Sequence, residues 1–272
     1  MNILFDSLGA QVQVQNETGD RLTTWAKALA AAGYTIKYSD YSKPLVGQLG
    51  DNKVLIIATR QQMDVPGYPP AIPPSVSFAY DSSDLSGMQT WIREGGSLLL
   101  FVNHSASPPF TPTPPNFPIY WPIYDIQLAA ALGITTVFAV IGLSIPPLSP
   151  GQKPRAIPMA PNLGAPPAII DGVAAVEAWD SGGIVSVMSH GRGTVLVPLP
   201  EGSTDTSGLG HSTKDLAFAV LYTLGKGKII VIGHSGITGN KDTPEPSWGQ
   251  IESGDNLRFL MNCVAYLAGS TS

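Results

Sequence analysis

Residues 84–102 read DLSGMQTWIREGGSLLLFV, and this stretch decides the fold. Asp84–Glu94 has helical character, Gly95-Gly96 stops it, and Ser97–Val102 is an apolar strand. Working back, Val54–Ala58 (VLIIA) is uncharged and β-branched, as a strand covered on both faces should be. Thr35–Ser39 predicts another strand. Residues 20–32 carry Leu22, Trp25, Ala26 and Leu29 at helical spacing, with Asp20 placed to cap the helix and Gly33 to end it. Ile3-Leu4-Phe5 is a first strand that ends at Asp6. Strand–helix–strand order with near-continuous apolar strands predicts an α/β fold, an open mostly parallel sheet with helices on both faces.

Working forward, residues 106–122 (ASPPFTPTPPNFPIYWP) are too rich in proline for a helix or a central strand. Their aromatics predict an ordered lid or wall. Residues 123–132 read as a helix closed by Gly133, and 143–170 as a second Pro-rich, mostly loop insertion. Val173–Trp179 has the character of an edge strand. Two hairpins are expected as antiparallel additions: Ile184–Met188 with Thr194–Pro198, and Ala217–Thr223 with Lys228–Ile232, the last arm returning to the central sheet. Ser253 or Asp255 would cap a closing helix over 256–268, ended by Gly269. The whole chain, 1–272, is read as one domain interrupted by the two Pro-rich insertions.

Composition narrows the function. Charged residues make up 13% of the 272, about half the usual share, and the net charge is -5. No Lys/Arg run could neutralise phosphates, so a nucleic-acid partner is not expected. The single cysteine excludes an internal disulfide framework. The N-terminus has no basic leader and no apolar stretch reads as a membrane span, so the expected location is cytoplasmic. There is no Walker loop and no G-x-G-x-x-G fingerprint.

Taken in order, several pieces resemble the class I glutamine amidotransferase-like fold, a flavodoxin-like architecture. The closer resemblance is to its non-amidotransferase relatives, the DUF4350-like and trehalose-utilisation-type domains. The pieces are Ile3–Asp6, Ala31–Ile36, Trp91–Leu99 with its Gly-Gly between helix and strand, Gly225–Gly233, and Asp255–Leu260 before a terminal helix. The resemblance spans about residues 1–105 and 215–269. It implies the fold and not the reaction. True amidotransferases of this fold use a Cys nucleophile at a tight strand-to-helix turn, whereas this chain has only Cys263, inside an apolar helical pattern.

In an open parallel sheet, ligands bind beyond the carboxyl ends of the strands. Asp6 and Ser7 follow the first strand, Arg60 and Gln61 the third, and Asn103, His104 and Ser105 the fourth. His234, Ser235 and Asn240 follow the Ile229–Ile232 strand, and Asp255 and Asn256 open the last helix. Two of the four histidines thus fall at strand ends. One reading is nucleophilic: Ser105 or Ser235 attacks, His104 or His234 takes the proton, and Asp6 or Asp255 orients the base. A second is a divalent metal held by His104, His234 and Asp6, although no local metal motif is present. The bland reading is that these residues cap strand-end turns. His190 and His211 are weaker candidates in loops. Asn103, Phe110, Tyr120, Trp121, Asp255 and Asn256 are the candidate substrate contacts, the aromatics forming a wall suited to a sugar ring or an apolar small molecule.

The expectation is therefore a small-molecule hydrolase working at the carboxyl ends of the strands. The alternatives are a non-catalytic module binding a carbohydrate or other small molecule, and a structural or assembly domain. No cofactor other than a metal is implied. The expected partner is a small-molecule substrate, with no membrane and with a homo-oligomer as an open alternative.

Overall fold

The computed structural model describes residues 1–9, 15–16, 19–20, 22–60, 76–102, 123–134, 136–142, 156–179, 184–188, 193–205, 212, 216–239 and 250–270. In chain order the strands are β1 (Asn2–Phe5), β2 (Gln15–Asn16), β3 (Gly19–Asp20), β4 (Thr35–Tyr38), β5 (Val54–Ala58), β6 (Ser97–Phe101) and β7 (Thr136–Gly142). Then come β8 (Ala156–Met159), β9 (Val176–Trp179), β10 (Ile184–Met188), β11 (Thr194–Pro198), β12 (Thr204–Asp205), β13 (Leu216–Leu224) and β14 (Gly227–Ile232). The helices are α1 (Thr23–Ala31), α2 (Ser82–Arg93), α3 (Ile123–Ala131), α4 (Pro167–Ile170) and α5 (Asn256–Ala268).

One open sheet runs β12-β7-β10-β13-β14-β6-β5-β1-β4, with β11 paired to β13. The pairings β4–β1, β1–β5, β5–β6 and β6–β14 are all parallel. From β14 outward the sheet turns antiparallel, beginning with the β13–β14 hairpin. This is the open α/β architecture with antiparallel additions that the sequence predicts.

Side chains alternate across the pleat, and the two faces bury two different clusters. Val54, Ile56 and Ala58 of β5 face α1 and α5, packing with Trp25, Leu29, Phe259 and Leu260. Leu55 and Ile57 face α2 and α3, packing with Met88, Ile92 and Leu128. Trp25 anchors the first face, with its ring edge-on to Phe5 at 5.5 Å and to Phe101 at 5.9 Å. The Gly95-Gly96 stop has two physical causes. Gly95 sits at φ +118°, and a Cβ on Gly96 would meet the Trp91 ring at 2.2 Å.

Several local expectations change. Helix α1 starts at Thr23 without a side-chain cap, because Asp20 belongs to β3, which pairs with β2. Helix α2 starts earlier than the apolar pattern suggests, at Ser82, since the Asp81 carboxylate accepts from the Asp84 N–H at 2.7 Å. β10 and β11 do not form a hairpin with each other. Each pairs antiparallel with β13, β10 at Leu216 and Ala217 and β11 along Ala217–Leu221. The residues between them, Ser189 to Gly193, read in sequence as a hairpin turn, but β13 offers a longer apolar partner. β9 is not an edge of the main sheet; it pairs with β8 in a separate two-stranded ribbon. The second Pro-rich insertion contains β8 and the short α4. Among the described residues no helix is long and apolar enough to cross a membrane.

Candidate functional site

The chain runs from β1 through α1 to β4 on one side, then returns to β5 on the other side of β1. Because α1 and α2 cover opposite faces, the two crossovers diverge between β1 and β5. A crevice opens at such a switch point, beyond the carboxyl ends of the strands. Asp6 and Arg60 are the residues that stand there.

Arg60 Nε lies 3.0 Å from Asp6 Oδ2, with the side chains 4% and 0% exposed. The contact is an ion pair without hydrogen-bond alignment, since neither atom has an aligned partner among the described residues. A longer bond runs from Arg60 Nη2 to Asp6 Oδ1 at 3.5 Å. Asp6 Oδ1 also accepts from Ser39 Oγ and from the Leu8 N–H, each at 3.3 Å. The guanidinium rests on the Tyr80 ring, with Cζ 4.1 Å from its centroid. The Arg60 N–H donates to Asp125 Oδ1, on the first turn of α3, at 3.1 Å.

This ring of groups is strongly polarised by burial. Burial pushes the Asp125 carboxyl well above the usual carboxylate range, against the pull of the Arg60 N–H and guanidinium. Burial likewise raises the Tyr80 phenol well above its ordinary value. Burial works against the Arg60 charge, but Asp6, Tyr80 and Asp84 hold the guanidinium protonated and raise it overall. Among the described residues, Asp125 Oδ2 and the Tyr80 hydroxyl are buried and have no hydrogen-bond partner. Such unmet polar atoms are uncommon in a folded protein and call for an explanation.

Outside the pair lies a crevice of about 340 Å³, lined by Asp6, Ser39, Tyr41, Lys43, Arg60 and Asp84 among others. Its second cation is also neutralised, since Lys43 Nζ is 2.8 Å from Asp40 Oδ2. Asp84 spends one oxygen on the Val46 N–H at 3.0 Å. The walls therefore offer hydroxyl, carboxylate and amide groups, with no unpaired cation among the described lining residues.

The other predicted site residues divide into two groups. Asn103, His104, Ser105, Phe110, Tyr120 and Trp121 lie outside the described residues, as do Gln61, His190, His211 and Asn240. His234 and Ser235 are described and buried, after β14. His234 Nδ1 accepts from the Gly236 N–H at 3.0 Å, capping a turn of 3-10 helix over Ser235–Thr238. Asp6 does not stand beside His234. β5 and β6 separate β1 from β14, three strand spacings or about 14 Å. The Asp6 carboxylate is turned to Arg60 and not to His234. Among the described residues no group of three His, Cys, Asp or Glu is arranged to hold a metal.

Asp255 and Asn256 tie the ribbon to α5. Asp255 Oδ2 accepts from the Ala174 and Ala175 N–H groups at 2.7 and 3.2 Å, and it makes no cap bond to its own helix. Asn256 is fully buried, accepts from the Glu177 N–H, and donates to the Glu177 and Gln250 carbonyls. Asp255 also borders a shallow groove of about 550 Å³ along α5. The sequence reading missed Tyr80, Asp84 and Asp125. For Asp125 the available signal was a lone carboxylate inside the apolar helix IYDIQLAAA.

No family model matches this sequence, and no curated protein is detectably similar to it in sequence. Solved structures do share the fold. The mmIFT52 N-terminal domain is similar over 99% of both chains, with a TM-score of 0.64 and 11% identity. Two cytoplasmic proteins of Salmonella typhimurium, STM1381 (strain LT2) and STM3548, are similar over 98% of this chain and 99% of theirs. Their TM-scores are 0.54 and 0.52, each at 12% identity. At such identities the likeness extends to the fold alone.

Proposed function

We propose that this chain is a binding module for a small, uncharged polar molecule, a carbohydrate or similar polyhydroxyl compound, seated in the β1–β5 crevice. The supporting observation is the buried Asp6–Arg60 pair at the switch point, on the wall of a polar crevice. An anion would find both cations of that crevice already paired. Hydroxyl groups would find carboxylate acceptors and a serine. The reading keeps the fold with the non-amidotransferase members of the glutamine amidotransferase-like group. Cys263 is buried in α5 and burial pushes its thiol up, so it supplies no thiolate nucleophile. It also keeps the cytoplasmic location expected from the sequence.

A thermal-shift survey of mono- and disaccharides followed by calorimetry tests this, with inorganic phosphate as the anionic control. A sugar should raise the melting temperature of the native protein, Arg60→Lys should weaken its binding, and phosphate should do nothing. Sugar binding that is unchanged in Arg60→Lys and in Asp6→Asn would place the ligand elsewhere.

A hydrolytic second reading keeps His104 and Ser105 with His234 and Ser235. Its support is that β6 and β14 are adjacent and parallel, with the Val102 N–H on the Ile232 carbonyl at 2.9 Å, two residues short of each histidine. A screen of ester, amide and glycoside substrates against His104→Ala and His234→Ala separates it from binding alone, and metal analysis of the same proteins tests a histidine-bound ion.

A further inference from the structure

Thr59 lies between the end of β5 and Arg60, and it is the single non-glycine at positive φ among the described residues, at +53°. A β-branched residue in this region is a steric outlier. Such a conformation persists where its surroundings over-determine it, and it concentrates at binding sites. Here the surroundings are specific. Thr59 is fully buried, and its Oγ1 donates to the Phe101 carbonyl at the end of β6, 3.1 Å away. The next residue is held by Asp125 through its N–H and by a single antiparallel bridge to Gly9.

The kink changes which face Arg60 reaches. Val54, Ile56 and Ala58 point to the α1 face, so an extended continuation would send residue 60 there too. Arg60 instead stacks on Tyr80, which belongs to the cluster on the α2 face, and reaches Asp6 across the β1–β5 seam. The ion pair alone does not account for this, because it requires the backbone to turn first.

We propose that Thr59 is a positioning residue: its left-handed backbone, locked by the bond to Phe101, aims the Arg60 guanidinium at Asp6 and Tyr80. Only the purpose of that aim rests on the crevice being a ligand site. A glycine could adopt the same φ without steric cost but would lack the lock. An asparagine tolerates the same region and keeps a polar side chain.

The test is labelling of arginines with phenylglyoxal, mapped by mass spectrometry, alongside melting temperatures. In the native protein Arg60 should label far more slowly than the exposed Arg258. Thr59→Gly should raise the Arg60 rate about tenfold or more while the melting temperature holds, a local opening without global unfolding. Thr59→Asn should restore protection. Arg60 protected equally in Thr59→Gly and native protein would overturn the proposal, as would labelling that rises only in step with lost global stability. A sugar that binds Thr59→Gly and native protein equally, while Arg60 labelling differs, would leave the Thr59 assignment standing and remove the crevice as the sugar's site.

Discussion

Arg60 and Asp6 meet across the seam between β5 and β1, 3.0 Å apart and almost wholly out of water. They are 54 residues apart in sequence. Desolvating two charges is expensive, so a pair like this contributes little net stability while both partners are present. Removing one partner is different, because the other is left buried and uncompensated.

Arg60→Met is therefore expected to destabilise the fold by about 3–5 kcal/mol. The double variant Asp6→Leu/Arg60→Met should cost clearly less than the two single changes added together. Urea unfolding of the three variants measures this coupling. Strict additivity would mean that the pair does not act as a unit.

Asp125 predicts a pH dependence with a definite sign. Its carboxyl is raised in the folded protein by burial, so the folded state holds this proton more tightly than the unfolded chain does. The associated stability is complete below the ordinary carboxyl value of about 3.9 and is lost as pH rises toward the raised folded value. Asp125→Asn keeps an acceptor for the Arg60 N–H and never ionises. Its stability relative to the native protein should improve steadily from acid toward neutral pH. Denaturant curves at intervals of pH check this, and parallel profiles for the two proteins would refute it.

Asn256 clamps β9 and residue 250 to the start of α5 through three side-chain bonds. Asn256→Ala strands the buried Gln250 carbonyl and the part-buried Glu177 carbonyl and N–H, an expected loss of about 2–4 kcal/mol. The loss should appear as global destabilisation measured by thermal unfolding, with the Arg60 crevice unaltered. If sugar affinity falls and stability does not, Asn256 is a ligand contact after all.

Cys263 is fully buried with a raised thiol. A disulfide reagent such as DTNB should leave it unmodified in the native protein and titrate one thiol after unfolding. Prompt reaction in the folded state would contradict the packing of α5.

Much of the fold is legible in the sequence because the deciding signals are local. VLIIA at 54–58 is apolar without interruption, and the structure buries every residue of it on both faces. Gly95-Gly96 stops α2 where the chain must turn into β6, and Gly269, in the left-handed region, ends α5. Strand ends could likewise be read, and with them Asp6, Arg60 and His234 as residues at the carboxyl edge.

Partner choice over long separations was decided only by the tertiary structure. Whether β10 pairs with β11 or with β13 depends on which apolar edge is longest and nearest, and no local pattern carries that information. The same holds for the site. The sequence offered Asp6 or Asp255 as the partner of His104 or His234, but the strand order sets β5 beside β1 and puts β14 three strands away, so among the described residues Asp6 meets Arg60 and not His234. Asp125 and Tyr80 join them because α3 and the segment leading into α2 bring distant residues over one guanidinium. The amino-acid sequence by itself determined the elements and the edge where a site could lie, since hydrophobic period and turn chemistry act between near neighbours. Which side chains meet there followed from sheet order and from the kink at Thr59, which exist only once the chain has folded.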